Sequence, residues 1–239
     1  MIFYVVYILL GPAIRVALLF YSLFNNKVKG RIKEQDPSIQ RAIKTIASNK
    51  GSKEVIILHA ASAGEYEQIK PLVPRIDREK FFILQTVSSP TLFDTIDENK
   101  LFDASCYLPF DFFISSYCFF KRTNPTHFIV TRHDVWPNSV VCCKLLKIKS
   151  VIINANLHGK SMKMRPIANI FYRFIYRQFN LIICPSNRIK KMFNKMGVYK
   201  NIKIISDTRI NQIINRSKVK RRDFFIEEML NYNNIVFGS

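Results

Sequence analysis

Residues Glu54 to Glu65 read EVIILHAASAGE. The apolar run from Val55 to Leu58 stops at Ala60-Ala61-Ser62-Ala63-Gly64, and a carboxylate follows. Read physically, a buried strand empties into a turn of small residues, and a helix starts near Glu65. In an open α/β sheet, ligands bind just outside the carboxyl ends of the strands. Small side chains there admit a ligand to the backbone, and the free N–H groups of a helix start attract anions. Glu65 stands where it can meet a substrate. It also stands where a carboxylate complements the helix dipole, which favours its charged form. The stretch alone leaves both roles open.

Outward from this stretch the chain alternates strand with helix. Apolar runs at Val55–Leu58, Phe81–Gln85, Ala104–Leu108, Phe128–Thr131, Val151–Asn154, Leu181–Cys184 and Ile202–Ile205 read as buried parallel strands. Helical stretches separate them. Pro71 and Pro74 break or kink the helix after Glu65. Trp136-Pro137-Asn138 opens another helix, with proline in the first turn where its missing N–H costs nothing. Asn187 to Met196 is a further helix, closed by Gly197. Such alternation specifies a Rossmann-like, doubly wound parallel sheet of the α/β class. In His158 to Arg177, Ile167, Ile170, Phe171 and Phe174 recur at helical spacing and read as a core face. The cations Lys160, Lys163, Arg165, Arg173 and Arg177 form a solvated basic face that could also meet lipid phosphates.

Four segments follow from this reading. Residues 1–25 are the first, in which Met1 to Phe24 is almost wholly apolar and interrupted only by Arg15. Their length suits a membrane helix, which needs about 20 residues, kinked at Gly11-Pro12. Lys27, Lys29, Arg31 and Lys33 follow, which places that end on the cytoplasmic side. The expectation is a retained anchor at the inner membrane, spanning or shallow, with the rest on the cytoplasmic face. A buried N-terminal helix is the alternative. Residues 26–52 read as a basic linker with a short helix around Ile39 to Ala47. Residues 53–211 form the sheet domain. Residues 212–239 hold a basic run from Arg216 to Arg222, an amphipathic helix near Asp223 to Asn231, and Ile235-Val236-Phe237-Gly238-Ser239. That last run reads as the first strand of a second domain.

The chain carries 37 Lys+Arg against 17 Asp+Glu, a net charge of +20 over 239 residues. Such a field favours anionic partners: nucleic acid, an acidic membrane or a phosphorylated lipid. No nucleic-acid recognition motif accompanies it, so the expected partners include no nucleic acid, and a nucleic-acid binder is carried only as a disfavoured third reading. The five cysteines (Cys106, Cys118, Cys142, Cys143 and Cys184) show no CxxC spacing, which argues against a disulfide framework or zinc site. The four histidines (His59, His127, His133 and His158) form no HExxH array. No metal and no cofactor are expected.

HAASAGE, SSPT (Ser88 to Thr91), YLPFD (Tyr107 to Asp111), DVWPN (Asp134 to Asn138) and NANL (Asn154 to Leu157) occur in that order. They resemble the HAxSVGE, TPTG, YLPYD, ELWPN and NARL motifs of the Kdo transferases. These enzymes transfer the acidic sugar Kdo from CMP-Kdo to the lipid A precursor in lipopolysaccharide biosynthesis. The match runs from about Ile56 to about Asn211. It implies a GT-B fold with two Rossmann-like domains, an acceptor half here and a CMP-sugar half that would follow. It implies an inverting transferase without a metal, with Glu65 as proton acceptor and Ser62, Gly64, Ser89 and Thr91 at the substrate. A transition-state lysine of the family aligns with Arg209 in Ser206 to Asn211. The family's second such residue, the first Glu of ETELWPN, aligns with Arg132, which reverses the charge. Asn156 replaces a family cation, and Leu92 replaces the Gly of TPTG. Besides the transferase, two readings stay open: a degenerate or split lipid-binding module of the same family, motivated by Arg132, and a nucleic-acid binder, motivated by charge alone.

Overall fold

Each apolar run becomes a parallel strand. The computed structural model describes residues 2–96, 101–132, 135–208 and 210. Its strands are β1 (Glu54–Ala60), β2 (Phe81–Val87), β3 (Ala104–Tyr107), β4 (Pro125–Thr131), β5 (Lys149–Ile153), β6 (Leu181–Cys184) and β7 (Ile202–Ile204). They form one sheet in the order β3-β2-β1-β4-β5-β6-β7, and every pairing is parallel. The helices are α1 (Ile2–Leu9), α2 (Gly11–Ser22), α3 (Asn26–Asn49), α4 (Ala63–Ile69), α5 (Pro90–Ile96), α6 (Phe113–Thr123), α7 (Pro137–Leu145), α8 (Pro166–Tyr176) and α9 (Asn187–Met196).

Strand residues alternate between two cores because successive side chains point to opposite faces. Val55, Ile57, Phe82, Leu84, Phe128 and Val130 join the larger cluster, with residues from α1, α3, α6, α7, α8 and α9. Ile56, Leu58, Ala60, Ile83 and Val87 join the smaller one, under α4 and α5. Burial on both faces explains why the strands read as continuous apolar runs rather than alternating ones. Cys106, Cys142, Cys143 and Cys184 are buried core residues, Cys118 is exposed, and all five are free thiols.

The helix signals hold where they are local. Pro137 occupies the first turn of α7. Gly197 ends α9 in the left-handed conformation, φ 89°. After α4 the chain tightens into a 3-10 turn, Lys70–Arg75, that contains Pro71 and Pro74.

The apolar N-terminal segment bends at Gly11-Pro12 as expected, whereas the basic segment after it differs from the expectation. Among the described residues no single helix is long and apolar enough to cross a membrane. Only α1 and α2 together reach that length, and they are bent by 42°. The helix α1 is fastened to the domain: the Tyr4 hydroxyl donates to Asn138 Oδ1 at 2.9 Å, and the Tyr7 hydroxyl donates to Asp111 Oδ2 at 2.9 Å. Its rings pack on α8, Tyr4 on Phe174 and Tyr7 on Phe171. In place of a linker with a short helix, α3 runs for 24 residues straight through Pro37. It stays helical because it covers the edge of the sheet. Ser38 Oγ accepts from Tyr107 N at 3.3 Å and Gln35 Oε1 from Phe110 N at 2.9 Å, so the β3 edge is not left open. In α8 the buried face is also rotated from the expected one. Ile175 and Tyr176 are buried, while Ile167 and Ile170 are exposed. The amphipathic helix near Asp223 to Asn231 and the terminal strand lie outside the described residues.

Candidate active site

The chain leaves β1 toward β2 and β3, then crosses back to β4 and continues to β7. The strand order therefore reverses between β1 and β4. At such a switch point the two crossover connections diverge and open a crevice beyond the strand ends. HAASAGE follows β1, SSPT follows β2, YLPFD follows β3, VWPN follows β4 and NANL follows β5. Five separate stretches thus meet on one rim, with HAASAGE and VWPN flanking the switch point.

Glu65 is at the third position of α4. It is 5% exposed, and its Oε2 accepts from Ala61 N at 2.9 Å and Ser62 N at 3.1 Å. This is the carboxylate half of a capping box. The two amide donors stabilise its negative charge and fix its place at the rim. Ser62 and Gly64 are exposed in front of it. A Cβ built on Gly64 meets nothing within 4 Å, so no packing within the described structure calls for the small residue there. Ser89 Oγ accepts from Leu92 N at 3.4 Å at the start of α5, and Thr91 is exposed on its first turn. Arg209 lies outside the described residues, as does Asp134.

The switch point is bridged by His59 and Trp136. Trp136 Nε1–H donates to His59 Nε2 at 3.1 Å, which puts the His59 proton on Nδ1, 3.0 Å from Thr86 Oγ1. His59 is fully buried. The ring is a fixed spacer between the two motifs.

Asp111 holds the next layer. Its carboxylate accepts from Asn138 N and Ser139 N at 3.0 Å each, from Ser139 Oγ at 3.2 Å and from the Tyr7 hydroxyl. Asn138 Nδ2 donates back to the Asp111 carbonyl. Asp111 thereby caps α7 from a distant loop, where Trp136 at the cap position offers no side-chain acceptor. Burial raises the Asp111 carboxyl above its ordinary range, and the bonds from Asn138, Ser139 and Tyr7 pull it back in part. Burial and the Asp111 charge also push the Tyr7 hydroxyl well up.

Arg132 and Asn154 close the far side. Both adopt positive φ, 57° and 50°. A non-glycine residue held this way stores about 1–3 kcal/mol, maintained by its surroundings. Here Arg132 N–H donates to Ile153 O at 2.8 Å and Asn156 N–H to Arg132 O at 3.3 Å. Asn154 Nδ2 donates to Thr208 Oγ1 at 2.8 Å, and Thr208 Oγ1 donates to Gln68 O at 2.9 Å. The segment before Arg209 is thus tied to α4, three residues beyond Glu65. Asn156, where a family cation is replaced, pairs with His158 Nε2 at 3.0 Å.

Sequence reasoning singled out Glu65, Ser62, Gly64, Ser89 and Thr91, and the fold puts all of them on this rim. It assigned no role to His59, Asp111, Asn154 or Thr208. Asp111 and Asn154 stood inside quoted motifs, and that was the available signal. Among the described residues no cluster of His, Cys, Asp and Glu could hold a metal ion.

The fold resembles UDP-N-acetylglucosamine 2-epimerase from Rickettsia bellii, with a TM-score of 0.55 at 11% identity, over 76% of this chain and 52% of that one. The Neisseria meningitidis epimerase bound to UDP-GlcNAc gives 0.52 at 11% identity, over 74% and 52%. At these identities the likeness concerns the fold alone. Among curated proteins, the 3-deoxy-D-manno-octulosonic acid transferase of Rickettsia felis is 27% identical over 155 residues, 62% of this chain and 32% of its own length. The Haemophilus influenzae transferase is 29% identical over 147 residues, 59% of this chain and 34% of its own. That of Rickettsia prowazekii is 25% identical over 195 residues, 77% and 40%. The chain spans about a third of the length of the first two. Residues 36–212, well over half of the chain, match the model of the 3-deoxy-D-manno-octulosonic-acid transferase (kdotransferase) family, and the chain belongs to that family.

Proposed function

We propose that this chain is the acceptor half of an inverting glycosyltransferase that moves Kdo from CMP-Kdo to a lipid A precursor in lipopolysaccharide biosynthesis. The observation that carries the reading is the convergence of five family motifs on one rim, with Glu65 at the point where the strand order reverses. On this reading Glu65 takes the proton of the attacking acceptor hydroxyl, CMP leaves from the opposite side, and the anomeric configuration inverts. Arg209 is the residue proposed to stabilise the transition state. Ser62, Gly64, Ser89 and Thr91 meet the substrates. On this reading the CMP-sugar is gripped by the second Rossmann-like domain of the family's fold.

The same reading puts the chain at the inner membrane, on its cytoplasmic face. What supports it is the outer side of the bent pair. Ile2, Leu9, Val16, Phe20, Leu23 and Phe24 are each more than 60% exposed, and the exposed cations Lys27, Lys29 and Lys33 follow at once. Apolar residues of this kind lie in the interface plane beside basic ones, where each cation near an anionic surface contributes about 1 kcal/mol.

A second reading, a lipid-binding module of the family without catalysis, is favoured by two observations. Glu65 already serves as a helix cap, and Arg132 stands where the family places an acid. One experiment separates the two. The chain is co-expressed with the donor-binding half of the Rickettsia felis relative, and Kdo transfer to lipid A precursor is measured. The transferase reading expects turnover that falls about 10²–10⁴-fold in Glu65→Gln. Turnover that survives this substitution rejects Glu65 as the acceptor of the proton. Absence of turnover, with the precursor still bound, leaves the module.

A further inference from the structure

A cavity of about 430 Å³ lies at the end of the sheet opposite the rim, beside the amino ends of β6 and β7. Small-molecule sites enclose about 300–1,000 Å³. The cavities beside α3, about 230 and 130 Å³, fall short of that range. The inner wall is the end of α8 and the turn after it, where Tyr176 and Phe179 are almost fully buried. The outer wall is the turn from Gly197 to Asn201, which joins α9 to β7.

This turn is fastened along its length. Gly197 and Asn201 both take positive φ, 89° and 61°. Val198 N–H donates to Phe193 O at 2.9 Å and closes α9, while Ile182 N–H donates to Asn201 O at 2.8 Å and ties the other end to β6. Between them Arg177 Nε and Nη2 donate to Gly197 O at 3.2 and 2.7 Å. The guanidinium is thereby held in one orientation at the cavity wall.

Charge sets the sign of the occupant. Arg177 and Lys200 line the cavity, both are exposed, and no carboxylate lines it. From Val135 to Ser206, the stretch that supplies α7, α8, α9, β5, β6 and β7, there is no Asp or Glu at all. Among the described residues no ion pair involves Arg177 or Lys200. Two cations without a neighbouring acid suit a phosphate, whose oxygens accept charge-assisted bonds from such donors. Tyr199 adds a second preference. Its side chain stands 68% exposed beside these cations. An open aromatic ring next to fixed positive charge is the chemistry that stacks a base and holds its phosphate. Asn201, also exposed in the lining, brings an amide that both donates and accepts at a base edge.

We propose that this cavity binds a nucleoside monophosphate, with the phosphate on Arg177 and Lys200 and the base on Tyr199. The site is remote from Glu65 and independent of the transferase reading.

Adenosine monophosphate, whose purine offers a large stacking face, is the probe. It is titrated calorimetrically into the full chain at low salt, with adenosine and inorganic phosphate as the half-ligands. One saturable site is expected, with each half-ligand about tenfold weaker. Tyr199→Ala and Lys200→Gln alter exposed side chains and leave the core intact. Each should weaken binding about tenfold, the scale of one lost base stack or phosphate contact. Lys44→Gln, at an exposed cation of α3 outside the cavity, should change nothing. Absence of saturable binding, or binding unchanged in both cavity variants, overturns the site. Equal losses in Lys44→Gln and Lys200→Gln overturn it too, since net charge alone would then explain the binding. Inorganic phosphate that binds as tightly as the nucleotide overturns the role of Tyr199. Kdo transfer is not the readout, so this test and that of the transferase reading fail separately.

Discussion

Replacing Asp111 by Asn tests how the rim is held together. In the wild type its carboxylate accepts two amides of the α7 first turn, the Ser139 hydroxyl and the Tyr7 hydroxyl, at 2.9–3.2 Å. A hydrogen bond to a charged group contributes about 1.5–3 kcal/mol net. Asparagine keeps one acceptor oxygen and turns an NH₂ toward at least one donor, so about two of the four bonds are lost. Removing the charge also relieves its burial cost, which in the raised carboxyl outweighs the help of those bonds, so what remains is an NH₂ set against a buried donor, about 1–3 kcal/mol. A domain's whole stability is about 5–15 kcal/mol, so the effect is large. Guanidinium chloride unfolding followed by Trp136 emission reads it at the α7 start. A loss under about 0.5 kcal/mol at unchanged denaturant slope would refute the clamp. Hydrogen exchange supplies the second readout. Amides of Ile2–Leu9 should exchange faster in the variant, because Tyr7 loses its acceptor. Unaltered exchange there would refute the tether between α1 and the rim.

The same group fixes a pH trend. Burial raises the Asp111 carboxyl, so it holds its proton more readily folded than unfolded. Its contribution to stability is complete below the unfolded value of about 3.9 and is lost as pH rises through the higher folded value. Across that window the wild type should lose stability relative to Asp111→Asn. A relative gain would contradict the sign.

Trp136→Phe removes the donor to buried His59 Nε2 and should cost about 1–3 kcal/mol, read by thermal unfolding in circular dichroism. Gly197→Ala should cost about 1–2 kcal/mol in the same assay. It forces a Cβ into φ 89° and to 2.9 Å from Arg173 Cδ. Thr208→Val keeps the volume but cuts the links to Asn154 and Gln68. In the reconstituted transferase it should lower kcat more than it raises KM, while the isolated chain loses no more than about 1 kcal/mol of stability.

The strands were legible because a parallel sheet buried on both faces leaves an unmistakable apolar run, and each of the seven runs became a strand. The rim was legible because its motifs directly follow those runs. What stayed hidden was non-local. The helix α3 carries Pro37 and many charges, and its reason for being helical is the β3 edge, about 70 residues away in sequence. Asp111 looked like one letter of a motif, since its partners lie 27 and 28 residues on. The face of α8 was misjudged because periodicity cannot show that α1 takes up Phe171 and Phe174 while Ile167 and Ile170 stay outside. The bend at Gly11-Pro12 was legible, but the fastening of α1 to the domain was hidden for the same reason. Apolar content alone does not distinguish a free span from a bent pair whose inner side is pinned by Tyr4 and Tyr7.

These ties bear on how Glu65 could act. Two backbone amides hold its Oε2 in place. What it has is a fixed position: on a helix, capped, at the strand reversal, with α4 tied through Gln68 and Thr208 to the end of β5. A carboxylate held in this way contributes to proton transfer through orientation, which in well-aligned reactions can supply about 7–11 kcal/mol. The proposed mechanism therefore demands more than a charge at position 65. Glu65→Asp keeps the carboxylate but shortens its reach by one methylene, withdrawing it from both Ala61 N and the crevice. Kdo transfer by the reconstituted enzyme should fall nearly as far as in Glu65→Gln. If Glu65→Asp instead retains most of the rate, position is not the source of the catalysis, and the rim's architecture would have to be explained by lipid binding alone.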